Sequence, residues 1–383
     1  MKEGQPTEDE FCTQNSSIKN LDHYFIGKRI GQGAYAVVRL GLHRSLNQKI
    51  AVKIYEKTKL MEPNRRKSVK REMKIMEKLD QEHIAKLYEV FESHKQVFFI
   101  MEYVNGGSLH GYLKLMPQRQ MPELEAKFLW RQVVQAIHYC HQRNVTHRDI
   151  KLENILLDET KERVKLIDFG FSTCIPHDKK IKLFCGTPSY MAPEIVAKVE
   201  YSGPPADIWA LGVLLFALLC GKFPFKGSND KELYSAIRFN ELVFPDHVTP
   251  PARFFLQKLF HKEPEKRISA LEILKDPFMQ INNHDLKFIN ANAVHGFVKP
   301  NSLGGEAGKL AIKGKETSAN ESTTDSRGTR AITVINPSNI QFALTGTLIA
   351  PKLDENGEPT NSQTDKRHTM FAREIKGYIN EQN

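Results

Sequence analysis

Hydrophobic and polar positions along the chain follow two successive patterns. From Leu21 to Leu42 apolar and β-branched residues alternate with polar ones around the turn Gly31-Gln32-Gly33, which predicts a β-hairpin. Lys49–Tyr55 reads as a third strand, and Ile84–Phe91 and Val97–Tyr103 as two more. Between them, Asn64–Leu79 places Val69, Met73, Ile75, Met76 and Leu79 near helical spacing. Five strands and one helix predict a small antiparallel-sheet lobe.

Beyond the break Asn105-Gly106-Gly107-Ser108 the period becomes helical. Helices are expected over Leu109–Leu115, Pro122–Arg143, Ala206–Cys220, Asp230–Phe239, Pro251–Phe260 and Ala270–Lys275. The longest apolar run, Ile208–Cys220, is too short for a membrane span of about 20 residues and reads as a buried helix. Phe171–Tyr201 is polar, contains prolines and has no period; a loop of that length is usually functional. The fold class is therefore α+β. The expected division is a flexible segment over 1–21, a small lobe over 22–104, a mainly helical lobe over 105–279 and a low-complexity or regulatory tail over 280–383. Within the tail, Ala331–Ala350 regains some apolar character.

Composition narrows the class. Of 383 residues, 40% are hydrophobic and 26% charged, as in an ordinary globular protein. The net charge of +10 suits an anionic ligand or a lysine-rich surface equally. The aromatic residues sit inside apolar runs instead of among Lys and Arg, which argues against a nucleic-acid partner. The tail carries nearly balanced charge, 12 Lys/Arg against 11 Asp/Glu from Ile281 onward, so no membrane partner is expected. Five scattered cysteines without a CxxC pair fit a reducing compartment, the cytoplasm with the nucleus as an alternative, and no zinc site. The acidic, polar N-terminus is no signal peptide.

The chemistry concentrates in His147-Arg148-Asp149-Ile150-Lys151-Leu152-Glu153-Asn154. Asp149 can accept a proton, Lys151 can neutralise a transferring anion, and Asn154 can hold a divalent metal. Asp168-Phe169-Gly170 adds a second metal-type carboxylate, or a turn former at a strand end. Upstream, Gly31 and Gly33 allow backbone amides to approach phosphates, although a plain hairpin turn needs the same glycines. Lys53 on its strand is either an edge charge or a phosphate contact. Glu72 on the helix is either a surface glutamate or its partner.

Glycine turn, lysine, glutamate, His-Arg-Asp run and Asp-Phe-Gly occur in the order and spacing of the protein-kinase set. Ala192-Pro193-Glu194, Asp207–Gly212 and Arg267 extend the match, and over Asp22–Met279 the chain resembles the eukaryotic protein kinase family. The style of Lys86–Val90, Phe184–Pro188 and Asp276-Pro277-Phe278 is most similar to the calmodulin-kinase-like and AMP-activated-kinase-related branch. The resemblance implies a bilobal fold and transfer of the ATP γ-phosphoryl group to serine or threonine hydroxyls of protein substrates. It makes Asp149 the base or orienter of the acceptor. Lys151, the serine/threonine form of this run, becomes the γ-phosphate contact. Lys53 and Glu72 become the phosphate-orienting pair, and Asn154 and Asp168 the Mg2+ ligands. It lines the adenine slot with Ile30, Val38, Ala51, Met101, Leu156 and Ile167, with Glu102 and Val104 offering backbone groups. Met76, Leu87, His147 and Phe169 fit a column linking the lobes, and Glu194 and Arg267 a buried ion pair.

Three departures stand out. Ala36 replaces a third glycine, which is tolerated if the residue is extended. Ser108 stands where a glutamate would read an upstream arginine, leaving Glu153 to meet a nearer basic residue. Leu183 occupies the place of an activating threonine, so Arg148 lacks its phosphate and the loop is expected to be ordered by packing. Asp285–Pro300 shows no basic amphipathic stripe, so direct calmodulin control is not expected. The alternative reading is a pseudokinase scaffold, against which the intact Lys53, Glu72, Asp149, Asn154 and Asp168 argue.

Overall fold

The computed structural model describes residues 21–176 and 179–280. Of the expected segment over 1–21 only Leu21 is described, and it is buried; of the expected tail over 280–383 only Gln280 is described, so its stretch Ala331–Ala350 and the region Asp285–Pro300 lie outside the described residues.

The first lobe is a five-stranded antiparallel sheet in the order β1-β2-β3-β5-β4. Its strands are β1 (Tyr24–Gln32), β2 (Ala36–His43), β3 (Gln48–Glu56), β4 (Leu87–Glu92) and β5 (Gln96–Glu102), with helix α1 (Pro63–Met76) inserted between β3 and β4. Ile84 is not part of β4; it makes a single parallel bridge to Leu166 and ties the two lobes together. The helix stops at Met76, three residues short of the periodic pattern, because Leu79 is buried as a turn residue and continues the apolar stripe without the helix.

The two faces of the sheet separate cleanly because side chains alternate along a strand. Ile50, Val52, Phe98 and Ile100 face outward and pack with Leu21 and Tyr24. Ala51, Tyr55, Phe99 and Met101 face inward onto the main core with Val69, Ile75 and Met76 of α1. Lys53 shares that inward face by register, pairing with Phe99 across β3 and β5.

The second lobe is built on α3 (Glu123–Gln142) and α5 (Gly203–Cys220), with α2 (Leu109–Leu115), α6 (Asp230–Phe239), α7 (Pro250–Leu259) and α8 (Ala270–Lys275) around them. Helix α5 is long and apolar enough to cross a membrane, yet its apolar window is 89% buried inside the protein. It is hydrophobic all round, as a central core helix should be. The Trp130 indole N–H donates to the Leu211 carbonyl at 2.9 Å, joining α3 to α5.

Short strands carry the loops between the lobes: β6 (Val145–Thr146) with β9 (Thr173–Cys174), and β7 (Ile155–Leu157) with β8 (Val164–Leu166). The segment leaving β5 docks on β7, where Gly106 donates to Leu157 and Leu157 to Gly107. A side chain at Gly106 would place its Cβ 1.8 Å from the Asp158 carbonyl, so only glycine allows this approach. Phe171–Tyr201 is less irregular than its sequence suggests. It contains β9, a turn of 3-10 helix over Pro188–Tyr190 and the short helix α4 (Pro193–Val196). These are too short to show a period, and tertiary contacts hold them.

Candidate active site

The loop between β6 and β7 is held from below by one carboxylate. Asp207 on α5 is fully buried and accepts the backbone N–H of His147 through Oδ2 and that of Arg148 through Oδ1, both at 2.9 Å. His141 of α3 meets the same Oδ2 at 2.9 Å. Arg148 adopts φ of 66°, sparsely populated for a residue with a side chain, and the two Asp207 bonds hold that turn in place. Asp168 is likewise left-handed, at φ of 63°. His147 stacks edge-on against Phe169 with centroids 4.8 Å apart, and both are fully buried. Met76, Phe169 and the half-buried Leu87 belong to one apolar cluster, and His147 joins it through the Phe169 ring.

Asp149 and Lys151 lie 2.8 Å apart, with almost fully buried side chains. Thr187, from the segment before α4, donates to Asp149 Oδ1 at 2.7 Å and accepts from Lys151 Nζ at 3.2 Å. Asn154 donates from Nδ2 to the Asp149 carboxylate at 3.0 Å and to its carbonyl at 2.9 Å. The other Asn154 atom, Oδ1, is buried and has no partner. A buried amide oxygen without a donor is costly unless a cation or donor completes it.

From the small lobe, Lys53 Nζ reaches Glu72 Oε1 at 2.8 Å and Asp168 Oδ1 at 3.0 Å. Glu72 lies on the stripe of α1 shared with Val69 and Met76, which explains how a glutamate is only 2% exposed. Burial alone would lower the Lys53 pKa, but the Asp168 and Glu72 carboxylates outweigh it and hold the ammonium well above its ordinary range. Burial would raise Asp168, but the Lys53 charge and hydrogen bond keep it below the ordinary carboxylate value.

These residues suit a divalent cation of the Mg2+ kind. Among the described residues no cluster of three His, Cys, Asp or Glu could hold a metal by itself. An ion here would take oxygen from Asp168 and the orphaned Asn154 Oδ1 and complete its shell with phosphate and water, as magnesium characteristically does.

The expected adenine slot adjoins this cluster: Val38 pairs with Lys53, and Ile167 directly precedes Asp168. Val38, Met101 and Ile167 are buried, while Ile30, Ala51 and Leu156 are half-buried. Ala51 pairs with Met101 in the sheet. Of the two backbone contributors, the Glu102 N–H is already donated to the Lys86 carbonyl at 2.9 Å. The Val104 backbone makes no hydrogen bond among the described residues. Gly31 pairs with Val38, and the Gly33 N–H donates to the Ala36 carbonyl at 2.8 Å, closing the turn without a left-handed glycine. Ala36 is the first residue of β2 and extended, so the missing third glycine is sterically neutral.

The segment with Leu183 is ordered by backbone pairing and packing. Ile181 and Tyr201 exchange two backbone hydrogen bonds, and the Tyr201 hydroxyl donates to the Leu183 carbonyl at 3.2 Å. Phe184 packs edge-on against Tyr234 of α6, with the Lys198 ammonium over its ring. Leu183 is 43% exposed, and Arg148 donates instead to the Phe171 carbonyl at 2.7 Å. Ser172 and Thr173 are buried, which closes them to modification in this arrangement.

On the acceptor side, Ser108 is the N-cap of α2 and accepts from the Gly111 N–H at 3.1 Å. Glu153 meets His110 Nδ1 of α2 at 2.5 Å. Burial pulls the Glu153 pKa upward, but the His110 hydrogen bond, a backbone hydrogen bond and the His110 and Lys151 charges together hold the carboxyl below its ordinary value.

The charged residues and the amide expected at the phosphate end therefore form two clusters, Lys53–Glu72–Asp168 and Asp149–Lys151–Asn154, and the Ile167 N–H bond to the Asn154 carbonyl joins their segments. Sequence reasoning passed over Tyr55, whose hydroxyl donates to Glu72 Oε2 at 2.6 Å, and gave no role to His110, His141 or Asp207. The strand period could have found Tyr55, two residues after Lys53 on the same face. The others are brought in only by the packing of α2, α3 and α5.

A family model described as protein kinase domain matches residues 24–279. The SNF1-related protein kinase catalytic subunit alpha KIN12 of Arabidopsis thaliana is 37% identical over 272 residues, covering 71% of this chain and 54% of that protein. A protein of Dictyostelium discoideum named probable serine/threonine-protein kinase is 37% identical over 266 residues, 69% of this chain and 32% of that one. The serine/threonine-protein kinase SIK3 homolog of Danio rerio is 35% identical over 271 residues, 71% and 22%. These relatives agree with the AMP-activated-kinase-related resemblance. The chain spans about half or less of the length of the curated relatives it matches.

Proposed function

We propose that this chain, which belongs to the protein kinase family, transfers the γ-phosphoryl group of ATP to serine or threonine hydroxyls of protein substrates, with Mg2+. The observation that carries the reading is the simultaneous closure of both halves of the site. Lys53 bonds Glu72 and Asp168, while Lys151, Asn154 and Thr187 form a second cluster around Asp149.

Phosphoryl transfer needs positioning and charge neutralisation more than covalent chemistry. Asp149 orients the acceptor hydroxyl and takes its proton. Lys151, buried beside it, offsets charge on the transferring group, and its reach to Thr187 suits an alcohol acceptor lying in the same place. Lys53, fixed by Glu72, orients the inner phosphates. A magnesium ion held by Asn154 and Asp168 would supply further charge neutralisation when bound. The adenine edge would meet the free Val104 backbone. The Glu102 contribution is limited to its carbonyl, because its N–H is spent on Lys86.

The loop with Leu183 is held by Tyr201, Phe184 and its backbone pairing, so the enzyme is active without a phosphate at that position. The substrates, the compartment (cytoplasm or nucleus) and the place of the remaining chain belong to this proposal. The intact charged set favours catalysis over a scaffold role.

The test is radiolabel transfer from ATP to a degenerate serine/threonine peptide library, comparing the chain with its Asp168→Ala variant. Label with the parent and loss of at least about 100-fold with the variant is expected, the scale of removing an electrostatic catalytic group. Equal incorporation by the two overturns the assignment.

A further inference from the structure

Both carboxylate oxygens of Glu72 are occupied, Oε1 by Lys53 at 2.8 Å and Oε2 by the Tyr55 hydroxyl at 2.6 Å. Tyr55 follows Lys53 by two residues on β3, so the strand directs both side chains toward α1. The Tyr55 ring packs edge-on against Phe99 at 5.4 Å and belongs to the main core. A phenylalanine would fill that space as well. The hydroxyl is therefore the part that packing does not explain. Burial, then the Glu72 charge, pushes it well above the ordinary tyrosine range despite Lys53, so it stays a donor.

Beyond its apolar stripe, the described contacts that hold α1 inward are few. Only Val69, Glu72, Ile75 and Met76 of its 14 residues are buried, and its N-cap residue Glu62 makes no side-chain capping bond. Burial and then the nearby Arg148 charge lower the Arg71 pKa, and Arg71 Nε is buried without a partner. Neither arginine forms a salt bridge with a carboxylate among the described residues. The Glu72 bonds are thus the polar contacts that fix the inner face of α1 to the sheet.

We infer that Tyr55 is a positioning residue for nucleotide binding: its hydroxyl holds Glu72 against Lys53 and keeps α1 in the position that presents Lys53 to phosphates. The hold is built into the small lobe and needs no phosphate on the segment with Leu183. The inference rests on the kinase reading above. Without the hydroxyl, a buried carboxylate oxygen loses its donor and α1 spends less time inward. The apparent affinity for nucleotide then falls in proportion to the competent fraction.

The experiment uses the full chain, with calorimetric MgATP binding and steady-state kinetics on the parent, Tyr55→Phe, Glu72→Ala and the double variant. Circular dichroism and unfolding temperature confirm that each is folded. Tyr55→Phe is expected to weaken MgATP binding and kcat/KM for ATP about tenfold, leaving KM for peptide unchanged. In the Glu72→Ala background the same change is expected to cost under about twofold, because the hydroxyl then has nothing to hold. Equal losses in both backgrounds mean a packing role and overturn the inference, as does unchanged MgATP affinity in Tyr55→Phe. A parent that binds MgATP but labels no peptide refutes the catalytic reading, while the binding comparison still decides Tyr55. A parent that binds no MgATP overturns both.

Discussion

Asp207 holds the backbone N–H of Arg148 at 2.9 Å, and with it the left-handed turn that aims the catalytic loop. The carboxylate is on α5, while the loop it sets lies between two-residue β6 and three-residue β7. Asp207→Asn keeps the size but turns one acceptor into a donor facing a backbone N–H. The expected result is a fall in kcat of about 100-fold, the consequence of a displacement near 1 Å at the reacting groups. KM for ATP should stay close to the parent value, because Lys53 and Glu72 are placed from the other lobe. Steady-state kinetics separate the two constants.

The Arg267–Glu194 pair ties α4 to the end of the large lobe. Two guanidinium nitrogens meet the two carboxylate oxygens at 2.8 and 3.1 Å, and both side chains are nearly inaccessible. Arg267→Ala leaves Glu194 charged, buried and unpaired, and should destabilise the fold by about 3–5 kcal/mol. Denaturant unfolding measures this, and an unchanged midpoint contradicts it.

Glu125 should make stability depend on pH. Burial raises its carboxyl to about 7 against the Tyr112 hydrogen bond, and one of its oxygens has no partner. The folded protein binds this proton more tightly than the unfolded chain. Its contribution is therefore fully present below about pH 4.5, is lost as pH rises to about 7, and changes no further above that. Glu125→Gln should raise stability at pH 8 by on the order of 2 kcal/mol and have little effect at pH 5. Unfolding temperatures of both proteins across this range give the comparison.

The segment with Leu183 predicts that protein phosphatase treatment of the purified chain changes turnover by less than about twofold, since the Ile181–Tyr201 pairing, the Tyr201 hydroxyl and the Phe184 ring hold the segment. Tyr201→Phe, which removes the donor to the Leu183 carbonyl, should lower kcat by about threefold to tenfold. A strict requirement for an upstream kinase would refute the packing account.

His110 covers Glu153 on the acceptor side. His110→Ala should free that carboxylate and raise kcat/KM about fivefold for peptides with a basic residue near the acceptor, the scale of one charge-assisted hydrogen bond. Glu153→Ala should abolish the gain. Peptide-array kinetics with neutral and basic series provide the readout.

Much of the site was legible in the chain because its chemistry lies in short local runs. His147–Asn154 and Asp168–Gly170 carry their acids, base and amide at offsets that survive any packing. The alternating and apolar runs marked the strands of the small lobe, and the apolar run ending at Cys220 read correctly as a buried helix. Helix ends were harder: α1 closes at Met76 although the apolar pattern runs on to Leu79, because burial continues in a turn. The Glu102 N–H is taken by Lys86, 16 positions earlier, which leaves its carbonyl for a partner, a detail the chain alone does not carry.

The sequence by itself determined the fold class and the residues able to handle phosphate, because periodicity and local spacing encode these directly, while the place of Leu183 came from the family resemblance. Tertiary structure decided what holds those residues. Tyr55 reaches Glu72 across a strand and a helix, Asp207 reaches Arg148 from a helix about 60 residues away, and Tyr201 ties down Leu183. Each is a single directional hydrogen bond between segments whose approach depends on the packing of the whole core, and such bonds leave no periodic trace in the chain.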